Sequence, residues 1–433
     1  MRLRPAARVL YALGGFGSAL LQQTVLLWVF FFYAPPPGQL HPARATPGMV
    51  GLAMAAGRIV DALADPLVAH WSDSLRSRWG RRRPFILVAS PLLAVCFVLL
   101  WRPPDARIST ANALYLAVTL GVFFFLYTMV LNPYTALLPE VTAGGRGRVA
   151  TTSLQAAFNL AGIGAAFVGS SWLSTRFGFS TMGLILAPFG LAALLTSSLT
   201  VRERIPTAPP QPIRATVRSV FNDPRFRVFI PAIATVWFGL SMVQLSLALI
   251  VTVLMGLPQS AIALFLGLTL GTTVVSLPFA ARLIRRWGGR RTILGAMTLL
   301  AAELPLAATI GRWPVPLSPA VEGGLILMLA GPAIGAMFIL PNALLAEIAE
   351  DHGRRGGIRV EGMFFAFQGL IFNGTTSLSA ATLGGLLQWL GQAPPDAWGL
   401  RAALLTAAVS TAAGALIFTR YPASDRPPSR RRL

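Results

Sequence analysis

The chain carries few groups that could do covalent chemistry. Its one cysteine, Cys96, lies in an apolar run. A single thiol closes no internal disulfide and builds no metal site, so it reads as a small buried apolar residue. The three histidines, His41, His70 and His352, fall on separate segments and form no metal cluster. There is no nucleophile elbow and no phosphate-binding glycine loop. Charge is scarce too: 12% of the 433 residues are charged, where soluble domains approach about a quarter. No polar tract is long enough for a separate soluble domain. These shortages argue against a membrane enzyme and against a soluble protein.

Apolar length is what the chain has instead. Hydrophobic residues make up 55% of it, and its mean hydropathy is +0.65. Apolar stretches of about twenty residues recur from end to end, enough to cross a bilayer as helix. The start, "MRLRPAARVLYALGGFGSALLQQTVLLWVFFFY", is basic and then apolar. Its apolar part is too long for a signal peptide and no small-residue cleavage pattern follows, so it reads as a first span. Twelve spans fit, at about 8–33, 46–71, 84–101, 111–139, 149–172, 181–201, 225–255, 259–284, 291–311, 322–348, 360–391 and 398–420. The even number puts both termini on one side.

Lysine is absent, so all 36 basic residues are arginine and the formal net charge is +21. With a cytoplasmic N-terminus, 29 of them fall on cytoplasmic loops and six on the opposite side, with Arg58 inside a span. That is a strong positive-inside bias. Sidedness and anionic lipid account for the charge, and nucleic acid is not expected as a partner. The expectation is a monomeric multi-pass protein of the cell (inner) membrane with both termini cytoplasmic.

The two halves echo each other. "RWGRRRPFIL" from Arg78 returns as "RWGGRRTIL" from Arg286, an offset of 208. "ALLPE" at 136–140 returns as "ALLAE" at 343–347, and "GRV" at 147–149 as "IRV" at 358–360, offsets of 207 and 211. Three landmarks in one order at nearly one spacing predict two parallel six-span repeats, a major facilitator layout. The halves are then 1–201 and 225–421, joined by a Pro- and Arg-rich cytoplasmic linker at 202–224 and followed by a basic tail at 422–433.

The chemistry concentrates in "GRIVDALADPLVAHWSDSLRSRWGRRRPF", residues 57–85. Asp61 and Asp65 are four apart and share a helix face, with Arg58 three before Asp61. A charge at mid-membrane costs about 2.5–3.5 kcal/mol even on lenient scales. The three must therefore face the bundle interior and pair, bind a cation or take up protons. A cation or proton between two repelling carboxylates is one reading. A static Arg58–Asp61 salt bridge is the competing one. Asp73, Arg81 and Arg82, with the repeat-related Glu140 and Glu347, are expected at a cytoplasmic gate. Asn132 and Tyr134, flanking Pro133, are expected to break the fourth span. Gln155, Asn159, Gln244, Gln368 and Asn373 are further cavity candidates, although each alone is more often an interhelical hydrogen bond. Glu303, in the ninth span, has no assigned role.

At "DALADPLVAHWSDSLRSRWGRRRPFIL" the chain resembles the glycoside–pentoside–hexuronide:cation symporters. "NPYTALLPEVT" and "LPNALLAEIAEDHGRRGGIRVEGMFFAFQGLIFNGTTSL" extend the likeness over nearly the whole length. The "RRRPF" form is also similar to sucrose-type proton symporters, and animal sodium-coupled lysolipid symporters share the architecture. The resemblance implies an all-α major facilitator fold and alternating-access symport of a sugar or glycoside with Na+ or H+. It implies a cation site at Asp61 and Asp65, tuned by Arg58, and no further cofactor. The chain departs from the family pattern at Ala19 and Leu131, where the sugar carriers hold aspartates. It departs again at Thr135, in place of an aromatic, and at Asn373, in place of a lysine. The sugar-gripping carboxylates are thus missing while the cation pair stays, which makes an amphiphile such as a lysolipid the alternative substrate. A non-transporting scaffold or sensor is the alternative outside transport.

Overall fold

A computed structural model of the chain describes residues 5–39, 41–75, 77–141, 145–201, 220–356, 361–393 and 396–422. Among these residues the structure is helical and has no strand. The first set of helices is α1 (Pro5–Tyr33), α2 (Pro47–Ser74), α3 (Arg83–Leu99), α4 (Thr110–Val141), α5 (Gly145–Gly164) and α6 (Ser170–Leu199). The second is α7 (Pro224–Leu249), α8 (Ile262–Trp287), α9 (Gly289–Ala308), α10 (Pro319–Gly356), α11 (Glu361–Leu390) and α12 (Trp398–Thr419).

Local chemistry sets several ends. Thr46 accepts a hydrogen bond from the Met49 N–H, and Pro47 opens α2 in the position proline suits best. Asp223 caps α7 in the same way, accepting from the N–H groups of Arg225 and Phe226. Both repeat-related "RWG" turns hold their glycine at positive φ, 102° at Gly80 and 81° at Gly288. A side chain would strain either turn.

Eight helical stretches among the described residues are long and apolar enough to cross a membrane. Neither α2, with its four charged residues, nor α3, with 17 residues, nor α11 is one of them. Two boundaries differ from the sequence expectation. The fourth span does not break at Pro133: α4 runs unbroken for 32 residues. Side chains on both sides of the proline are held by neighbouring helices, Asn132 by Asp65 and Tyr134 by Tyr11 and Gln155, and a proline inside a packed membrane helix is tolerated. The fifth helix does not end near residue 172 either. The Ser171, Ser174 and Thr175 hydroxyls bond carbonyls about one turn back, which keeps them inside a helix. Helix α5 passes through a π turn at Ala165–Gly169 into α6, and the chain breaks only at Gly178 (φ 80°, ψ 167°).

Packing follows one pattern twice. In the first set α1 packs on α5 and α6, α2 on α4, and α3 on α4 and α6. In the second, α7 packs on α11 and α12, α8 on α10, and α9 on α10 and α12. The sets meet mainly along α2–α11 and α1–α7. Gly51 and Gly384 let α2 and α11 touch. A Cβ on Gly51 would lie 2.5 Å from the Ala380 carbonyl oxygen, and one on Gly384 would lie 2.6 Å from that of Pro47. Most of the expected linker (202–224) and tail (422–433) lies outside the described residues.

Candidate functional site

The charged face of α2 meets a matching stripe on α4. Arg58, Asp61 and Asp65 stand at i, i+3 and i+7; Phe124, Thr128 and Asn132 stand at i, i+4 and i+8. Both spacings keep one side of a helix. Arg58 and Asp61 are 6% and 5% exposed, and Arg58 Nη1 lies 3.1 Å from Asp61 Oδ2. The guanidinium carbon sits 4.1 Å over the Phe124 ring, and Thr128 Oγ1 donates to Asp61 Oδ1 at 2.6 Å. Asp61 thus has a counter-charge and a hydroxyl donor. An ion pair this deep is expensive to break, because removing either partner leaves an uncompensated buried charge.

Asp65 is different. It is half-buried, and its donors are neutral: Asn132 Nδ2 reaches Oδ1 at 3.1 Å and the Asp65 carbonyl at 3.3 Å. Asn373 Nδ2, from α11 in the other set, reaches Oδ2 at 3.5 Å. Two amides orient the carboxylate without neutralising it. Among the described residues no arginine is paired with Asp65. The net charge of the Arg58–Asp61–Asp65 trio is therefore that of one carboxylate, and the group that carries it bridges both helix sets.

The other expected residues scatter. Tyr134 is 4% exposed; its hydroxyl donates to the Tyr11 carbonyl at 3.1 Å and accepts from Gln155 Nε2 at 2.8 Å. Both are occupied between α1, α4 and α5. Gln244 Nε2 donates to Gln23 Oε1 across the two sets. Gln368 is buried with its Nε2 unpartnered. Asn159 is exposed, as is Glu347. Arg82 donates to the Ala136 carbonyl, tying the loop before α3 to α4. Arg81, in the same loop, is half-buried. The side chains of Asp73 and Glu140 lie outside the described residues. Glu303 is buried in α9 with Oε2 unpartnered. Phe124 and Thr128 escaped the sequence reading, although their four-residue spacing from Asn132 was the available signal.

The helical packing and the buried polar face fit a multi-pass membrane protein, and the proteins the chain resembles are transporters rather than enzymes. The chain belongs to the MFS/sugar transport protein family, whose model matches residues 10–425. It is 25% identical to the inner membrane symporter YicJ of Escherichia coli, over 88% of this chain and 81% of that one. It is 22% identical to the sodium-dependent lysophosphatidylcholine symporter 1 of Gallus gallus, over 98% of this chain and 88% of that one. In fold it matches a variant of the nucleoside transporter NupG at a TM-score of 0.71 and 13% identity, over 96% of this chain and 99% of that one. The chain is thus a symporter-like secondary transporter of small solutes in the major facilitator superfamily.

Proposed function

We propose that the chain is a Na+- or H+-coupled symporter of a sugar or glycoside, working by alternating access, with Asp65 as the acid that takes the cation. One observation carries this: Asp65 is a carboxylate with neutral donors, in contact with both helix sets, beside an ion pair that neutralises itself. A mid-membrane charge in that setting is relieved by a bound cation. Asp61 shapes the site and Arg58 holds Asp61. Twelve spans in two six-helix repeats are supported by the packing pattern that recurs in both sets. Cytoplasmic termini, an inner-membrane location and lack of nucleic-acid binding follow from the arginine distribution; a monomer is the simplest assembly. Asp73, Arg81, Arg82, Glu140 and Glu347 would form the cytoplasmic gate.

A lysolipid is the second reading of the substrate. Asn132, Gln155, Gln244 and Asn373 are all engaged in hydrogen bonds within the protein. That leaves few polar groups to grip a glycoside, and a lysolipid needs fewer. Uptake into proteoliposomes decides, with labelled glycosides set against labelled lysophosphatidylcholine under an imposed Na+ or pH gradient. Gradient-driven uptake of neither class, with Asp65→Asn leaving the cellular phenotype intact, would favour a scaffold or sensor and overturn the proposal.

A further inference from the structure

We infer that the outer gate of this carrier is a latch of uncharged side-chain amides drawn across the two helix sets. Gln244 Nε2 in α7 donates to Gln23 Oε1 in α1 at 2.5 Å. Gln392 Nε2, after α11, donates to the carbonyls of Ala34 and Pro35, after α1, at 3.4 and 3.1 Å. Gln388 Oε1 in α11 accepts from the Gly48 N–H in α2 at 3.4 Å. Gln259 Nε2, before α8, donates to Ser174 Oγ in α6 at 3.1 Å. All four glutamines lie in the part of the bundle remote from the arginine-rich loops, and each joins one helix set to the other. The glycine contact of Gly51 with Gly384 lies in the same layer and sets the distance between α2 and α11.

Charged groups at this end serve their own half. Arg312 pairs with Asp396. Arg401 donates to the carbonyls of Ala308, Ile310 and Asp396, and Arg44 to that of Asp105. The division has a physical reason. A gate must open in every cycle, and a buried ion pair split between halves would leave two bare charges each time. A neutral hydrogen bond is exchanged for one with water at small net cost. Losing one such bond shifts a two-state ratio by about fivefold. Several weak bonds therefore hold the outer end shut without trapping it.

The latch rests on the alternating-access reading, but its test needs no transported substrate. Cys96 is the only cysteine and is buried. Ala55, whose carbonyl accepts from Ser377 Oγ at 2.9 Å across the α2–α11 seam, is the position for a reporter thiol. In an Ala55→Cys protein, a membrane-impermeant maleimide is added on the side opposite the arginine-rich loops. Labelling should be slow with the latch intact. It should be about fivefold faster with Gln244→Ala, and about 25-fold faster with Gln244→Ala and Gln392→Ala together. Cys96 should stay unlabelled throughout, which shows that the fold is kept. Gly48→Cys with Gln388→Cys should cross-link on oxidation. The cross-linked protein should also protect the reporter position from opening. Unchanged labelling in the latch variants with Cys96 still protected, or a failure of the Gly48/Gln388 pair to cross-link, overturns the inference. A labelling shift in a protein that moves no solute would leave the latch standing and remove the symport proposal instead.

Discussion

Replacing Asp65 with asparagine removes the uncompensated charge of the Arg58–Asp61–Asp65 trio while keeping the side chain's size. Asn132 and Asn373 stay within reach, so the helices have no reason to part. A monovalent cation falling through 100 mV supplies about 2.3 kcal/mol, and a tenfold gradient about 1.4 kcal/mol. Together they set a ceiling of about 400-fold on solute accumulation by one-to-one symport. In Asp65→Asn that ceiling should fall to about one, because nothing at the site then binds the cation. Exchange of solute down its own gradient should survive. The assay is uptake into proteoliposomes with and without a potassium diffusion potential, read as the ratio of internal to external solute. Asp61→Asn is the contrast. It strands Arg58 in a buried site, and the expected loss is about 3–5 kcal/mol of stability rather than coupling alone. Arg58→Met with Asp61→Leu, removing both charges, should recover most of it. Accumulation above about tenfold in Asp65→Asn would refute the assignment.

Thr128→Val removes the hydroxyl that donates to Asp61. A loss of about 1.5–3 kcal/mol is expected, seen as a lower melting temperature when a thiol-reactive dye reports exposure of Cys96. Gly384→Leu forces a side chain against the Pro47 carbonyl and Gly51. It should separate α2 from α11 and give low yields of monodisperse protein by size-exclusion chromatography, whereas Gly385→Leu, with nothing within 4 Å of its Cβ position, should not. His41 lies in the loop between α1 and α2, against the rings of Phe31, Phe32 and Phe179. Burial first, and the nearby Arg44 second, lower its pKa from 6.5 to about 4. Below about pH 6.5 the unfolded chain takes a proton that the folded chain refuses until about pH 4, so stability falls with acidification through that window. Melting curves from pH 7 to pH 4.5 should show the fall, and His41→Phe should flatten it.

Composition and periodicity made the helical class legible, because a bilayer admits few alternatives for so apolar a chain. The Arg58, Asp61 and Asp65 face was also readable, since three charges in one apolar helix need a shared interior side. What could not be read was how the charges divide. That depended on which α4 residues stood opposite, and Thr128 and Asn132 differ by one helical turn. Pro133 misled because its effect on α4 is decided by contacts from other helices. Gln155 and Gln244 looked like cavity lining because sequence shows a polar group but not its partner. Tyr134, which accepts from Gln155, and Gln23, which accepts from Gln244, stand on other helices.

The self-cancelling pair beside Asp65 has an electrical consequence. Under the proposed coupling, the cluster with an ion aboard would be neutral, and the loaded protein would reorient without moving net charge through the membrane field. Emptied, it carries one negative charge on its way back. An inside-negative voltage pushes that charge outward, so the voltage does its work on the empty return stroke and resets the carrier for the next ion.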